Sequence, residues 1–145
     1  MLSSYLKSKT QFVEGVGSWE ESIELASQPL IEKDYITSSY IDEMIENVKV
    51  NGSYIVIVPE IAMPHASTDK GVLRTGMSFL KLNESVTFPG EQEVKLFFVL
   101  AANDSTTHLE LLSDLSSILI EEDFRDKLKS VNSEEELISL LELVE

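Results

Sequence analysis

Two histidines and no cysteine set the limits of covalent chemistry in this chain. His65 follows the stretch Tyr54-Ile55-Val56-Ile57-Val58-Pro59-Glu60-Ile61-Ala62-Met63-Pro64 and is the first polar ring after a largely apolar run. An imidazole with its ordinary pKa of about 6.5 has a free lone pair near neutral pH and is then a competent nucleophile. Pro64 fixes its own φ and pushes Met63 towards an extended conformation, so the backbone aims the ring that follows. Such a histidine can be presented to a partner. The competing reading is a surface histidine after a strand, and spacing alone favours it.

His108 stands in Asp104-Ser105-Thr106-Thr107-His108-Leu109-Glu110-Leu111-Leu112. Asn103-Asp104-Ser105 offers helix caps; with Ser105 as N-cap, His108 falls in the first turn, where unpaired N–H groups and the helix dipole favour an anion. Against this, Leu111, Leu112, Leu115 and Leu119 put His108 on or beside an apolar stripe, where a hydrogen-bonded core histidine is the commoner outcome. A two-histidine metal site completed by Asp69 or Asp104 lacks metal-ligand spacing. The glycines form neither a dinucleotide fingerprint nor a phosphate loop, and no nucleophile-elbow motif supports Ser–His–Asp hydrolysis. Absence of cysteine excludes disulfides, thiol nucleophiles and thiolate metal sites, and fits a reducing compartment.

The elements that must position these rings follow from periodicity and caps. Leu2, Tyr5 and Leu6 suggest a short opening helix, and Phe12 to Val16 a short strand. Ser18-Trp19-Glu20-Glu21 has capping-box spacing, so a helix begins there with Ile23, Ala26 and Leu30 inward, and Pro29 distorts or ends its last turn. A second helix starts among Thr37, Ser38 and Ser39, and its stripe is Ile41, Met44, Ile45 and Val48. Asn51-Gly52 turns it into Tyr54 to Val58, a strand buried on both faces and closed by Pro59. Ser67 to Gly71 is a loop. Gly76 to Leu82 alternates as a strand, Phe88-Pro89-Gly90 turns, and Val94 to Ala101 is a second buried strand. Helices follow over 106–120 and 123–129, and a last one opens with the capping box Ser133-Glu134-Glu135-Glu136 and carries Leu137, Leu140 and Leu141. Interspersed strands and helices predict an α/β fold, three-layer α/β/α with a central mixed β-sheet.

Composition bounds the rest. A chain of 145 residues with 43% hydrophobic content and no composition break reads as one domain burying about 70% of its unfolded surface. Its 26 acidic and 11 basic residues give a net charge of −15, which repels nucleic acid and anionic lipid and attracts a partner with a basic face. No signal-peptide core opens the chain and no apolar run approaches 18 residues, so a soluble, cytoplasmic protein is expected.

Three blocks, Tyr40-Ile41-Asp42-Glu43-Met44, Ile61-Ala62-Met63-Pro64-His65-Ala66 and Gly71-Val72-Leu73, resemble the enzyme IIA domain of the mannitol/fructose class of the bacterial phosphoenolpyruvate-dependent sugar phosphotransferase system. Leu100-Ala101-Ala102-Asn103-Asp104 and His108-Leu109-Glu110-Leu111-Leu112 are similar to its second block, and the resemblance covers nearly the whole chain as a single type-2 EIIA domain, 1–145. Ala66 directly after His65, and the run from Tyr54 to Val58, look most like the L-ascorbate-type branch. Two departures stand out. The ascorbate-type pattern has arginine where this chain has Ser67, and the mannitol-type pattern has an Arg-Glu pair where it has Asn47 and Val48. Either cation would neutralise a phosphoryl group.

The resemblance implies that His65 is a phosphoryl acceptor, as tele-phosphohistidine, charged by the carrier HPr and discharged to a cysteine of an EIIB partner for uptake through a separate membrane EIIC. It implies His108, with helix N–H groups, as phosphoryl stabilisation, and neither cofactor nor metal. Loose phosphoryl transfer asks the protein mainly to position the group and stabilise oxygen charge. A regulatory EIIA-like binding module controlled by histidine phosphorylation is the alternative, and a metal-assisted hydrolase a third class.

Overall fold

The computed structural model describes residues 2–66 and 70–145. Its element order is α1 (Leu2–Leu6), β1 (Thr10–Val13), α2 (Trp19–Glu32), α3 (Ser38–Asn51), β2 (Val56–Val58), β3 (Glu60–Ala62), β4 (Gly76–Phe88), β5 (Gln92–Ala101), α4 (Ser105–Leu119), α5 (Glu122–Lys129) and α6 (Glu134–Glu142). The five strands form one sheet in the order β1-β4-β5-β3-β2. β1 runs parallel to β4 and β3 parallel to β5, while β4–β5 and β2–β3 are antiparallel, so the sheet is mixed as expected.

Alternation along β4 and β5 feeds two cores. Leu80 and Leu82 with Val94, Phe97 and Val99 meet Ile23, Ala26 and Leu30 of α2 and Tyr40, Met44 and Val48 of α3 on one face. Met77 and Phe79 with Leu96, Phe98 and Leu100 meet α1, α4, α5 and α6 on the other. A strand of period two between two helical layers must be apolar on both faces, which gives the α/β/α sandwich its near-continuous hydrophobic strands.

Local chemistry sets the helix ends. Ser18 Oγ accepts from the Glu21 N–H at 3.1 Å, and the Glu21 carboxylate accepts from the Gly17 N–H at 3.0 Å. Ser133 and Glu136 repeat the device, with Asn132 N–H as the second donor. Pro29, expected to distort or end α2, lies inside it, and the helix runs on to Glu32. Proline has no N–H for the carbonyl four residues back, and Gln11 supplies the missing donor: its Nε2 reaches Leu25 O at 2.5 Å.

Two strand readings are corrected. β1 occupies Thr10–Val13 rather than 12–16, because its parallel register to β4 ends at Val13–Leu82. The run from Tyr54 to Val58 is not a buried central strand. Only Val56–Val58 is a strand, half-buried at the sheet edge, and Tyr54 is 41% exposed. The run is apolar because Val56 packs against the α2/α3 core and Ile57 and Val58 against the opposite one. Pro59 does stop the ladder, and Glu60, at φ +70°, turns the chain into β3, the interior strand that sequence periodicity did not separate.

Candidate functional site

Neighbouring parallel strands bring the two histidines together. β3 ends at Ala62 and β5 at Ala101, so the segments that leave them emerge side by side beyond the carboxyl edge of the sheet, where open α/β sheets form their crevices. Met63-Pro64-His65-Ala66 follows β3, and the start of α4 follows β5. The ring centroids of His65 and His108 are 5.3 Å apart, inclined at 58°. They line an open cleft of about 880 Å³ with Asn47, Asn51, Tyr54, Asp104 and Ser105.

His65 is held at one ring nitrogen and at its carbonyl. Its Nδ1 lies 2.6 Å from the Met63 carbonyl, which can only accept, so Nδ1 carries the proton and Nε2 the lone pair in the neutral ring. Its own carbonyl accepts from the Tyr54 hydroxyl at 3.0 Å, and the Tyr54 ring stands edge-on to the imidazole at 5.5 Å. Burial pushes the His65 pKa below the ordinary histidine value; the Met63 carbonyl pulls the other way, and His108 adds to the lowering. His108 is also lowered, by burial. Both rings therefore favour the neutral form, as a nucleophile and a hydrogen-bond donor require.

The cap of α4 falls on one of the three residues expected to offer it. Asp104, not Ser105, is the N-cap of α4, and its carboxylate accepts from the Thr107 N–H at 2.7 Å and the Thr107 hydroxyl at 2.9 Å. Those hydrogen bonds hold the Asp104 pKa below the usual carboxylate range. An anion is thus already built into this helix end, and the N–H groups expected to receive a phosphoryl group are largely committed to it. His108 remains in the first turn, with its own N–H bonded to the Asp104 carbonyl.

Sequence reasoning named His65 and His108 and missed two tyrosines. Tyr54 donates to His65 and is itself hydrogen-bonded by Asn47, the residue standing where the mannitol-type pattern has arginine. Tyr40, buried in α3, donates to the Leu100 carbonyl and accepts from the Ala66 N–H. The signal was present in the quoted blocks beginning at Tyr40 and Tyr54, but a hydroxyl's partner 60 residues away has no sequence period. Ser67, in the place of the ascorbate-type arginine, and the expected loop from there through Asp69 lie outside the described residues, whereas its last two residues, Lys70 and Gly71, are described as a turn. Among the described residues lining the cleft, Asp104 is the one charged side chain and none is lysine or arginine. Among the described residues, no cluster of three histidine or carboxylate ligands could hold a metal ion, and no helix is long and apolar enough to cross a membrane.

Comparison with known proteins gives a consistent result. The family model described as phosphoenolpyruvate-dependent sugar phosphotransferase system, EIIA 2, matches residues 4–143. The chain is 34% identical over 142 residues to the mannitol-specific cryptic phosphotransferase enzyme IIA component of Escherichia coli K12, covering 97% of each chain. It is 27% identical over 128 residues to the ascorbate-specific PTS system EIIA component of the same strain, covering 86% of this chain and 83% of that one. Among solved structures, a putative PTS IIA domain from Streptococcus pyogenes M1 GAS superposes with a TM-score of 0.89 at 29% identity, over 98% of this chain and 94% of that one. The Escherichia coli complex of enzyme IIAMTL with phosphorylated enzyme IIBMTL superposes with a TM-score of 0.77 at 25% identity, over 90% of this chain and 92% of that one.

Proposed function

This chain belongs to the EIIA type 2 family of the phosphoenolpyruvate-dependent sugar phosphotransferase system, whose members are phosphotransferase relay proteins, and from that premise we propose that His65 is its phosphoryl acceptor. The observation that carries the proposal is the hydrogen bond from Nδ1 to the Met63 carbonyl, which leaves the Nε2 lone pair as the nucleophile of a ring that lines the cleft. Nε2 attacks the phosphorus of phosphohistidine on HPr. The N–P bond on the carrier breaks, and its imidazole leaves with the electron pair. The product is tele-phosphohistidine at His65. A cysteine thiolate of an EIIB partner then attacks the same phosphorus and releases His65.

His108, 5.3 Å from His65 between ring centroids, donates a ring N–H to the phosphoryl oxygens. Without a lysine or arginine among the described lining residues, the donors near the group are neutral ones, and a neutral donor counts for more in a dry site than in water. The relay needs no ATP: acceptance exchanges one N–P bond for another, and discharge breaks the N–P bond at His65 as an S–P bond forms on the EIIB cysteine. Residues 1–145 act as one EIIA domain in the cytoplasm, and the sugar crosses the membrane through a separate EIIC. A mannitol-type and an ascorbate-type relative both match, so the sugar is assigned by which EIIB accepts the group.

Incubation with phosphoenolpyruvate, enzyme I and HPr should add one acid-labile phosphoryl group, absent from His65→Ala. Labelled His65→Ala would move the acceptor elsewhere. The cleft's lack of described cations also favours a second reading, a regulatory module whose phosphorylation state governs a partner. Transfer from the labelled protein to mannitol-type or ascorbate-type EIIB separates the two, since a purely regulatory module retains its phosphoryl group.

A further inference from the structure

The aim of the His65 ring depends on the peptide groups around it, and a residue outside the cleft secures them. The Leu100 N–H donates to the Pro64 carbonyl at 2.9 Å. On the other side of His65, the Ala66 N–H donates to the Tyr40 phenol oxygen at 3.2 Å, and that hydroxyl donates to the Leu100 carbonyl at 2.8 Å. Pro64-His65-Ala66 has left the ladder of β3, so its buried peptide groups need partners from elsewhere. The Leu100 peptide at the end of β5, the Tyr40 hydroxyl of α3 and, on the half-exposed side, the Tyr54 hydroxyl at the His65 carbonyl supply them.

We propose that Tyr40 is a positioning residue for phosphoryl transfer at His65: its hydroxyl clips the Ala66 peptide to the end of β5 and so keeps Nδ1 against the Met63 carbonyl, leaving Nε2 alone to meet phosphorus. The catalytic consequence rests on the relay reading; the clip itself does not. Tyr40 is 1% exposed, Ala66 2% and Leu100 0%, so water cannot replace the hydroxyl where it stands. Without it, one N–H and one carbonyl are stranded in a dry site, and the loop relieves them by moving outward. Met63 is anchored separately, through its N–H to the Ile55 carbonyl at 2.8 Å. Movement therefore falls on the His65 side and opens the Nδ1 hydrogen bond. Burial pushes the Tyr40 phenol up to about 12, so it remains a donor at any working pH.

Tyr40→Phe keeps the ring and deletes the clip. The control is Ser78→Ala, which deletes another buried hydroxyl, one bonded to the Ala26 carbonyl at 2.6 Å. Imidazole ¹⁵N NMR of the unphosphorylated proteins should show His65 as the Nδ1–H tautomer in wild type and Ser78→Ala, and as a mixture in Tyr40→Phe. With phospho-HPr as donor, Tyr40→Phe should accept the group at least tenfold more slowly per folded molecule, and ³¹P NMR should show some Nδ1-phosphohistidine beside the Nε2 isomer. A single tautomer in Tyr40→Phe, or mixed tautomers with a wild-type rate, overturns the proposal. Should Tyr40→Phe fail to fold, amide exchange in the wild type decides: Ala66 N–H as slow as Leu100 N–H supports the clip, and exchange at the rate of an exposed loop amide refutes it. Wild-type protein that takes no phosphoryl group at His65 refutes the relay reading instead, while the tautomer and exchange data still judge the clip.

Discussion

Two imidazoles with lowered pKa values separate the pH at which activity falls from the pH at which stability begins to fall. The neutral ring of His65 persists below pH 6.5, so the acceptance rate should hold its plateau through that value and fall only at the depressed pKa. Stability should already suffer there. Below about pH 6.5 the unfolded chain gains protons that the folded one refuses, so the unfolded state binds more protons and stability drops as pH falls, until the folded pKa is passed. A urea midpoint that does not fall more for wild type than for a His65→Gln, His108→Gln double variant between pH 7.5 and 5.5 would contradict this. His108 also admits a test of role. It is half-buried and lines the open cleft, not sealed under Leu111 and Leu115, so truncation opens no closed cavity. His108→Ala should lower single-turnover transfer by about 10²–10³-fold, the loss associated with one oxyanion donor. Its denaturation midpoint should hardly move. A destabilised variant with normal transfer per folded molecule would return His108 to the core.

At the scale of elements, what the sequence disclosed was what local chemistry decides. Ser18, Ser133 and their glutamates announce helix starts because a cap and its N–H donors lie within one turn. Met77 and Phe79 against Leu80 and Leu82 announce a strand because two cores demand alternate faces. β3 was hidden because it has three residues and its identity depends on parallel pairing with β5, more than thirty residues away. The His65–His108 pair was named residue by residue, but its geometry rests on that same pairing. Pro29 illustrates the limit well: a local rule says that the last turn is distorted or ended, and only a side chain from β1 shows how the helix runs on. The Gln11 amide bonded to Leu25 O makes a checkable cycle. Gln11→Ala should cost about 1–2 kcal/mol, because the carbonyl loses the amide that replaces a helical N–H. Against Pro29→Ala, which restores that N–H, Gln11→Ala should cost clearly less, giving a coupling of at least about 0.5 kcal/mol in urea denaturation. Additive single and double variants would mean that Gln11 is not repairing the proline gap.

Over the whole molecule, charge and site are arranged differently. The chain carries −15, yet the cleft is lined by two histidines kept neutral, amides, a tyrosine and apolar groups, with Asp104 committed to its helix cap. Leu109 beside it is 65% exposed, so the rim offers uncharged surface for a partner to cover. The long-range field and the docking contact should then respond differently to salt. A phosphoryl donor with a basic face is drawn in by the field, which at an ionic strength of 0.15 M is screened beyond about 8 Å. Once docked over the cleft, the donor presents phosphorus to Nε2 in a site where mobile ions count for little. Raising salt from about 0.02 to 0.5 M should therefore lower the second-order rate of phosphoryl transfer from phospho-HPr roughly tenfold or more. The first-order rate at saturating donor should change less than about twofold. Stopped-flow quench measurements over a donor titration at each salt concentration separate the two constants. A saturated rate that falls in step with the second-order rate would show that charge acts inside the docked complex, against a cleft whose one charged side chain among the described lining residues, Asp104, is committed to its helix cap.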